Sequence, residues 1–214
     1  MIAEQPSLFD GIKPQRKICR DRLITTVSYD QQEIIGWITD LYLKGMPFQC
    51  DPTYSTGVIW RGIPGPELKY DIRPQAPGVD QASADALPLK DGSLRSLFFD
   101  PPFLVKTGAG SLIKNRFADF PSVAVMWEFY QNSMTEFCRV LKKKGLFAFK
   151  CQDFISSGEQ VPSQFKVMEI GFKLGLKWLD TFILINESVI VPPQRQRHGR
   201  KIHSYFIVFQ KVTS

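Results

Sequence analysis

Cysteine is scarce and scattered. Cys19, Cys50, Cys138 and Cys151 include no C-x-x-C pair, which argues against a zinc site and offers no disulfide framework. They read as buried or idle thiols, and no metal is expected. No apolar run approaches the roughly 18 residues that read as a membrane span. The opening stretch MIAEQPSLFDGIKPQRK lacks the apolar segment of a signal peptide, so a cytoplasmic, intracellular location is expected. Internal repeats and low-complexity tracts are absent. No G-x-G-x-x-G follows the first candidate strand, and no G-x-x-x-x-G-K-[ST] occurs anywhere. Dinucleotide binding and phosphoryl transfer are discounted on that ground.

What is present suits a soluble α/β domain. Hydrophobic residues make up 43% and charged residues 22% of a 214-residue chain, enough to bury a sizeable core. The net charge is +6, and it is unevenly spread. The segment QRQRHGRKIH packs Arg195, Arg197, Arg200 and Lys201 beside both histidines, His198 and His203. Such a segment suits a polyanionic partner, and equally a solvated loop.

Residues 1–27 read as a polar N-terminal extension, and residues 28–214 as a single domain. A helix is expected from Ser28, as its N-cap, to Gly45, with Ile34, Ile35, Ile38, Leu41 and Tyr42 on one face. Candidate strands follow at PFQC, LKYD and SLRSLFF, ending at Asp51, Asp71 and Asp100. SVAVMWEFYQNSMTEFCRVLKKKG predicts a long helix closed by Gly145. LFAFKCQD predicts a further strand, and a shorter helix begins at Pro162. WLDTFILINESVIV and SYFIVFQKV are apolar runs suited to an antiparallel pair. Between Thr107 and Phe120 lies a long polar loop of a kind that is often functional.

This alternation predicts a mostly parallel sheet covered on both faces. Ligands of such sheets bind outside the carboxyl ends of the strands. Asp51, Asp71 and Asp100 can therefore converge on one crevice, with Asp85 in the ADALPL turn beside them. DPPF is the sharpest feature. Its prolines fix φ, donate no backbone hydrogen bond and hold Asp100 extended. A carboxylate and a nearby carbonyl then form a pair of acceptors suited to the two hydrogens of an exocyclic amino group. Phe103 offers a flat face for the ring.

On these residues the chain resembles the S-adenosylmethionine-dependent amino-methyltransferases that modify adenine N6 or cytosine N4. ADALPLKDGSLRSLFFDPPF is similar to their central region, with Asp100, Pro101, Pro102 and Phe103 as the hallmark tetrapeptide. RVLKKKGLFAFK and RKIHSYFIVFQK are similar to later elements of the family. The resemblance runs from Pro47 onward in the family's order. It implies a Rossmann-like methyltransferase fold: a mostly parallel seven-stranded sheet with a C-terminal antiparallel strand, and helices on both faces.

It also implies S-adenosylmethionine as cofactor and a nucleic-acid partner, DNA before RNA. Asp71 would bind the donor's ribose, and Asp85 with Ala86 its adenine. Asp100 and the Pro101 carbonyl would hold the target amino group, and Phe103 would stack on a flipped base. The family's Phe-x-Gly-x-Gly loop is replaced by FQCDPTYSTG, with one glycine. Asp51, Pro52, Thr53, Tyr54, Ser55 and Gly57 are therefore the expected contacts to the donor's amino-acid portion. Arg195, Arg197, His198, Arg200, Lys201 and His203 are the expected nucleic-acid contacts. A DNA adenine-N6 methyltransferase is the leading expectation. An RNA base methyltransferase, a catalytically impaired nucleic-acid-binding protein, and a protein or small-molecule methyltransferase stand behind it.

Overall fold

The computed structural model describes residues 23–103, 105, 120–186 and 197–212. The elements in chain order are β1 (Val27–Ser28), α1 (Gln31–Tyr42), β2 (Cys50–Asp51), a 3-10 turn (Val58–Trp60), β3 (Leu68–Asp71), β4 (Asp80–Gln81) and β5 (Leu94–Phe99). Then come α2 (Val123–Val140), β6 (Leu141–Cys151), β7 (Phe154–Ser156), β8 (Glu159–Val161), α3 (Ser163–Lys173), β9 (Lys177–Ile185) and β10 (His203–Gln210).

Among the described residues the main sheet has eight strands, in the order β1-β9-β10-β6-β5-β2-β3-β4. This is one more than the expected seven, the edges being two-residue strands. The inner strands β6, β5, β2 and β3 run parallel, and β10 lies antiparallel between β6 and β9. The expected mostly parallel α/β sheet and its C-terminal antiparallel pair are therefore present. β7 and β8 form a separate hairpin.

Two apolar layers sandwich the sheet. α1 lays Ile34, Ile35, Trp37 and Ile38 against Phe98, Phe182 and Phe206 on one face. α2 and α3 lay Met126, Tyr130, Met134, Phe137 and Val167 against Phe99, Phe147 and Phe149 on the other. Alternation along β5 divides its phenylalanines, Phe98 to one layer and Phe99 to the other. Phe99 meets Phe137 and Phe149 edge-on, each with ring centroids 4.9 Å apart, a favoured arrangement for aromatic pairs. No described helix is long and apolar enough to cross a membrane.

Several expected boundaries move. The N-cap of α1 is Asp30, whose Oδ1 accepts the N–H groups of Gln32 and Glu33 at 2.8 and 3.3 Å. Ser28 instead sits on β1 and donates to Glu33 Oε2 at 2.7 Å. Leu41, expected on the buried face of α1, is 48% exposed. The first inner strand is Cys50–Asp51 rather than PFQC. α2 stops at Val140, not Gly145, because LKKKG already belongs to β6. Glycine is required there by close approach, since a Cβ at Gly145 would lie 2.8 Å from the Lys142 carbonyl oxygen.

Candidate active site

The carboxyl ends of β2, β3 and β5 open onto one cavity of about 620 Å³, within the size range of small-molecule sites. Its wall includes Asp71, Asp85 and Asp100, with Pro52, Thr53, Tyr54, Ser55, Gly57 and Pro102 among the expected residues. Gln31, Arg73, Phe120, Phe129 and Lys150 complete much of the rest. Asp51, Ala86, Pro101 and Phe103 stand outside the wall. Ala86 is exposed, Pro101 buried and Phe103 half-buried.

The loop after β2 is folded around Asp51. Its side chain is buried and turned into the loop, not into the cavity. Oδ1 accepts from the Thr53 N–H at 2.8 Å and from Thr53 Oγ1 at 3.2 Å, and Oδ2 accepts from Trp60 Nε1 at 2.8 Å. Burial pushes its carboxyl up to about 7 against the pull of the Thr53 and Trp60 donors, and nearby Asp100 raises it further. Thr53 Oγ1 also accepts the Asp100 N–H at 3.0 Å. One hydroxyl thus ties the end of β2 to the start of the DPPF segment.

Glycine is needed once in this loop. Gly57 has φ 70°, and a Cβ there would lie 2.6 Å from the Tyr54 ring. The loop is further pinned to β3. Asp71 accepts the Ser55 N–H at 2.9 Å and the Arg73 N–H at 2.7 Å. Lys69 Nζ sits 5.2 Å from the Tyr54 ring centroid. Asp85 accepts from the Ser83 hydroxyl.

At DPPF the Tyr130 hydroxyl donates to the Pro102 carbonyl at 3.0 Å. Burial raises the Tyr130 phenol well above its ordinary value, with Cys151 and Asp100 adding to the shift, so it stays protonated as a donor. Asp100 Oδ2 pairs with Lys150 Nζ at 2.9 Å. Sequence reasoning missed Lys150. Its signal is a lone cation in the apolar strand LFAFKC, where a charge that is mostly buried requires a partner. Gln31, Phe120 and Phe129 carry no such signal. Phe120 and Phe129 pack with centroids 5.4 Å apart, and an isolated parallel bridge joins Val105 to Phe120.

The basic segment stands on the same rim. β10 begins where β6 ends, with Tyr205 opposite Cys151. Arg197, His198 and Arg200 are exposed, and Lys201 and His203 are half-buried. The Lys201 carbonyl accepts from Gln152 Nε2 at 3.2 Å, and His203 Nε2 lies 2.8 Å from Tyr205 Oη. Arg195 lies outside the described residues. None of the described basic residues of this segment lines the cavity. No cluster of metal-ligating side chains occurs among the described residues.

No family model and no curated protein sequence matches the chain. Solved structures do. A Thermus thermophilus protein assigned as a DNA modification methylase, complexed with S-adenosyl-L-methionine, is 16% identical at a TM-score of 0.43, over 59% of this chain and 51% of that one. The PvuII DNA methyltransferase, cytosine-N4-specific, is 15% identical at 0.42, over 58% and 45%. A Galdieria sulphuraria protein assigned as a sarcosine dimethylglycine methyltransferase is 13% identical at 0.48, over 84% and 86%. The chain spans about half the length of the first of these. At such identities and TM-scores the likenesses supply neither residue equivalences nor a substrate for this chain.

Proposed function

We propose that this chain transfers a methyl group from S-adenosylmethionine to an exocyclic amino group of a nucleic-acid base, adenine N6 in DNA foremost. One observation carries the reading. The acid of the DPPF segment lies on the wall of the same cavity as the acids that end β3 and follow β4. The residues suit such a donor. Three carboxylates and two cations, Arg73 and Lys150, line the cavity, a net negative wall for a ligand carrying a sulfonium and an ammonium against one carboxylate. Asp71 would hold the ribose hydroxyls and Asp85 the adenine edge, as the resemblance implies. Thr53, Tyr54 and Ser55, on the same wall, would hold its amino-acid portion. When bound, the donor supplies an electrophilic methyl group on sulfur.

The chain's own part is positioning and electrostatics. The Asp100 carboxylate accepts one amino hydrogen of the target base. The Pro101 carbonyl would be the second acceptor, as the resemblance implies, while the neighbouring Pro102 carbonyl accepts from Tyr130. With both hydrogens held, the nitrogen lone pair is free to aim at the methyl carbon. With the donor bound, its S–C bond would break as the N–C bond forms, and the nitrogen would then shed one proton. Phe103 is the proposed stacking face for the base, and the basic segment supplies phosphate contacts along the rim.

The test incubates the protein with labelled donor and either DNA or RNA, then digests the product to nucleosides. Label in N6-methyladenine from DNA is the expected result. Label from RNA alone would move the substrate to RNA. No label in either with the donor bound would move the acceptor to a protein or small molecule, and no label without donor binding would leave a nucleic-acid-binding protein without turnover.

A further inference from the structure

We infer that Lys150 is a positioning residue for this transfer, acting through Asp100; the inference rests on the function proposed above. β5 and β6 are parallel and in register, with Phe98 opposite Ala148 and Phe99 opposite Phe149. The next rung sets Asp100 beside Lys150. The pair is therefore fixed by the sheet rather than by chance encounter of two long side chains. The lysine side chain is 14% exposed and the aspartate 24%, so solvent competes weakly for either. Lys150 Nζ lies 3.4 Å from Gln31 Oε1 and 5.7 Å from the Phe206 ring centroid. α1, β6, β10 and the residue just after β5 thus all locate the ammonium.

The consequence is a division of labour between the two carboxylate oxygens. Oδ2 is taken by the ammonium at 2.9 Å. Oδ1 has no hydrogen bond among the described residues and belongs to a side chain on the cavity wall. A carboxylate held at one oxygen cannot rotate freely, so the other is presented in one direction. That is the oxygen available to the amino hydrogen. The ammonium also offsets the repulsion that Asp100 feels from buried Asp51, whose carboxyl is itself raised by Asp100. Lys150 makes no bond to the reacting atoms. Its effect is to orient the group that does.

The experiment measures donor affinity by calorimetry and methyl transfer to DNA under saturating donor, for wild type, Lys150→Met, Lys150→Arg, Asp100→Ala and the Asp100→Ala/Lys150→Met double variant. Lys150→Met is expected to lower kcat under saturating donor about 10- to 100-fold, a larger change than in donor Kd, the signature of a missing orienting group. Lys150→Arg, which keeps the charge and can reach the carboxylate, is expected to recover most of that loss. The double variant is expected to be no slower than Asp100→Ala, because Lys150 then has nothing to orient. Thermal unfolding of each variant separates impaired folding from impaired orientation. If Lys150→Met is unstable, the Arg variant and the double-variant comparison decide.

Unchanged kcat in a folded Lys150→Met would overturn the inference while leaving the methyltransferase reading intact. Loss of donor affinity with kcat retained would overturn it too, and would make Lys150 a donor-binding residue. Absence of transfer by wild type on every nucleic acid would overturn both.

Discussion

Asp51 ends β2, as its place in the sequence suggests, but its side chain does not line the cavity. Its place at the end of β2 marks it as a crevice acid. The structure turns it into the loop, where three donors and full burial hold it. Its folded value of about 7 stands above the ordinary 3.8, so the folded state binds this proton more tightly than the unfolded chain does. The resulting stability is complete below the unfolded value and is lost as pH rises through the folded one. Unfolding free energies of wild type and Asp51→Asn, measured in denaturant from about pH 4 to about pH 8, should show wild type losing ground as pH rises. A difference that stays flat with pH would contradict this.

Gly57 is the second residue with a sharp expectation. Alanine there faces both the left-handed backbone and the Tyr54 ring. A destabilisation of about 1–3 kcal/mol in denaturant unfolding is expected, set by backbone strain and by how far Tyr54 can yield. A neutral Gly57→Ala would show that Tyr54 moves aside at no cost.

At the scale of elements, periodicity served well where one face is buried and poorly where charge and strand overlap. α1 and α3 were legible because their apolar residues recur at three and four. The end of α2 was not, because CRVLKKKG continues a helical composition while Leu141 already enters β6. The switch is imposed by pairing with β5, which local sequence does not encode. β2 was misplaced for a similar reason. A two-residue strand is made by its neighbours, with Cys50 opposite Leu68 on one side and Leu97 on the other. The interface of α2 with the sheet gives a direct test. Phe137 is fully buried and meets Phe99 and Phe147 edge-on. Phe137→Ala should cost about 3–5 kcal/mol in unfolding free energy. A loss below about 1 kcal/mol would mean that the core collapses around the vacancy.

At the scale of the molecule, the open end of the sheet gathers the DPPF acid, the strand-end acids and the described part of the basic segment on one side. The convergence of Asp71 and Asp100 on one cavity was legible because strand ends leave local signatures. The Asp100–Lys150 pair was not, since its members are fifty positions apart and are joined only by strand register. The basic segment predicts a salt-dependent affinity. Replacing Arg197, Arg200 and Lys201 by glutamine should weaken nucleic-acid binding across sequences. It should also flatten the slope of log K against log salt by about 0.9 for each duplex-DNA phosphate no longer neutralised. An unchanged slope would make that segment a solvated loop.

The most direct measurement counts N6-methyladenine in DNA after incubation with S-adenosylmethionine and either wild type or Asp100→Ala. The account predicts N6-methyladenine with wild type and a loss of about 100-fold or more with the variant, the scale of removing a key electrostatic contact at the reacting group. Methylation that persists undiminished in Asp100→Ala, or none at all with wild type, would contradict it.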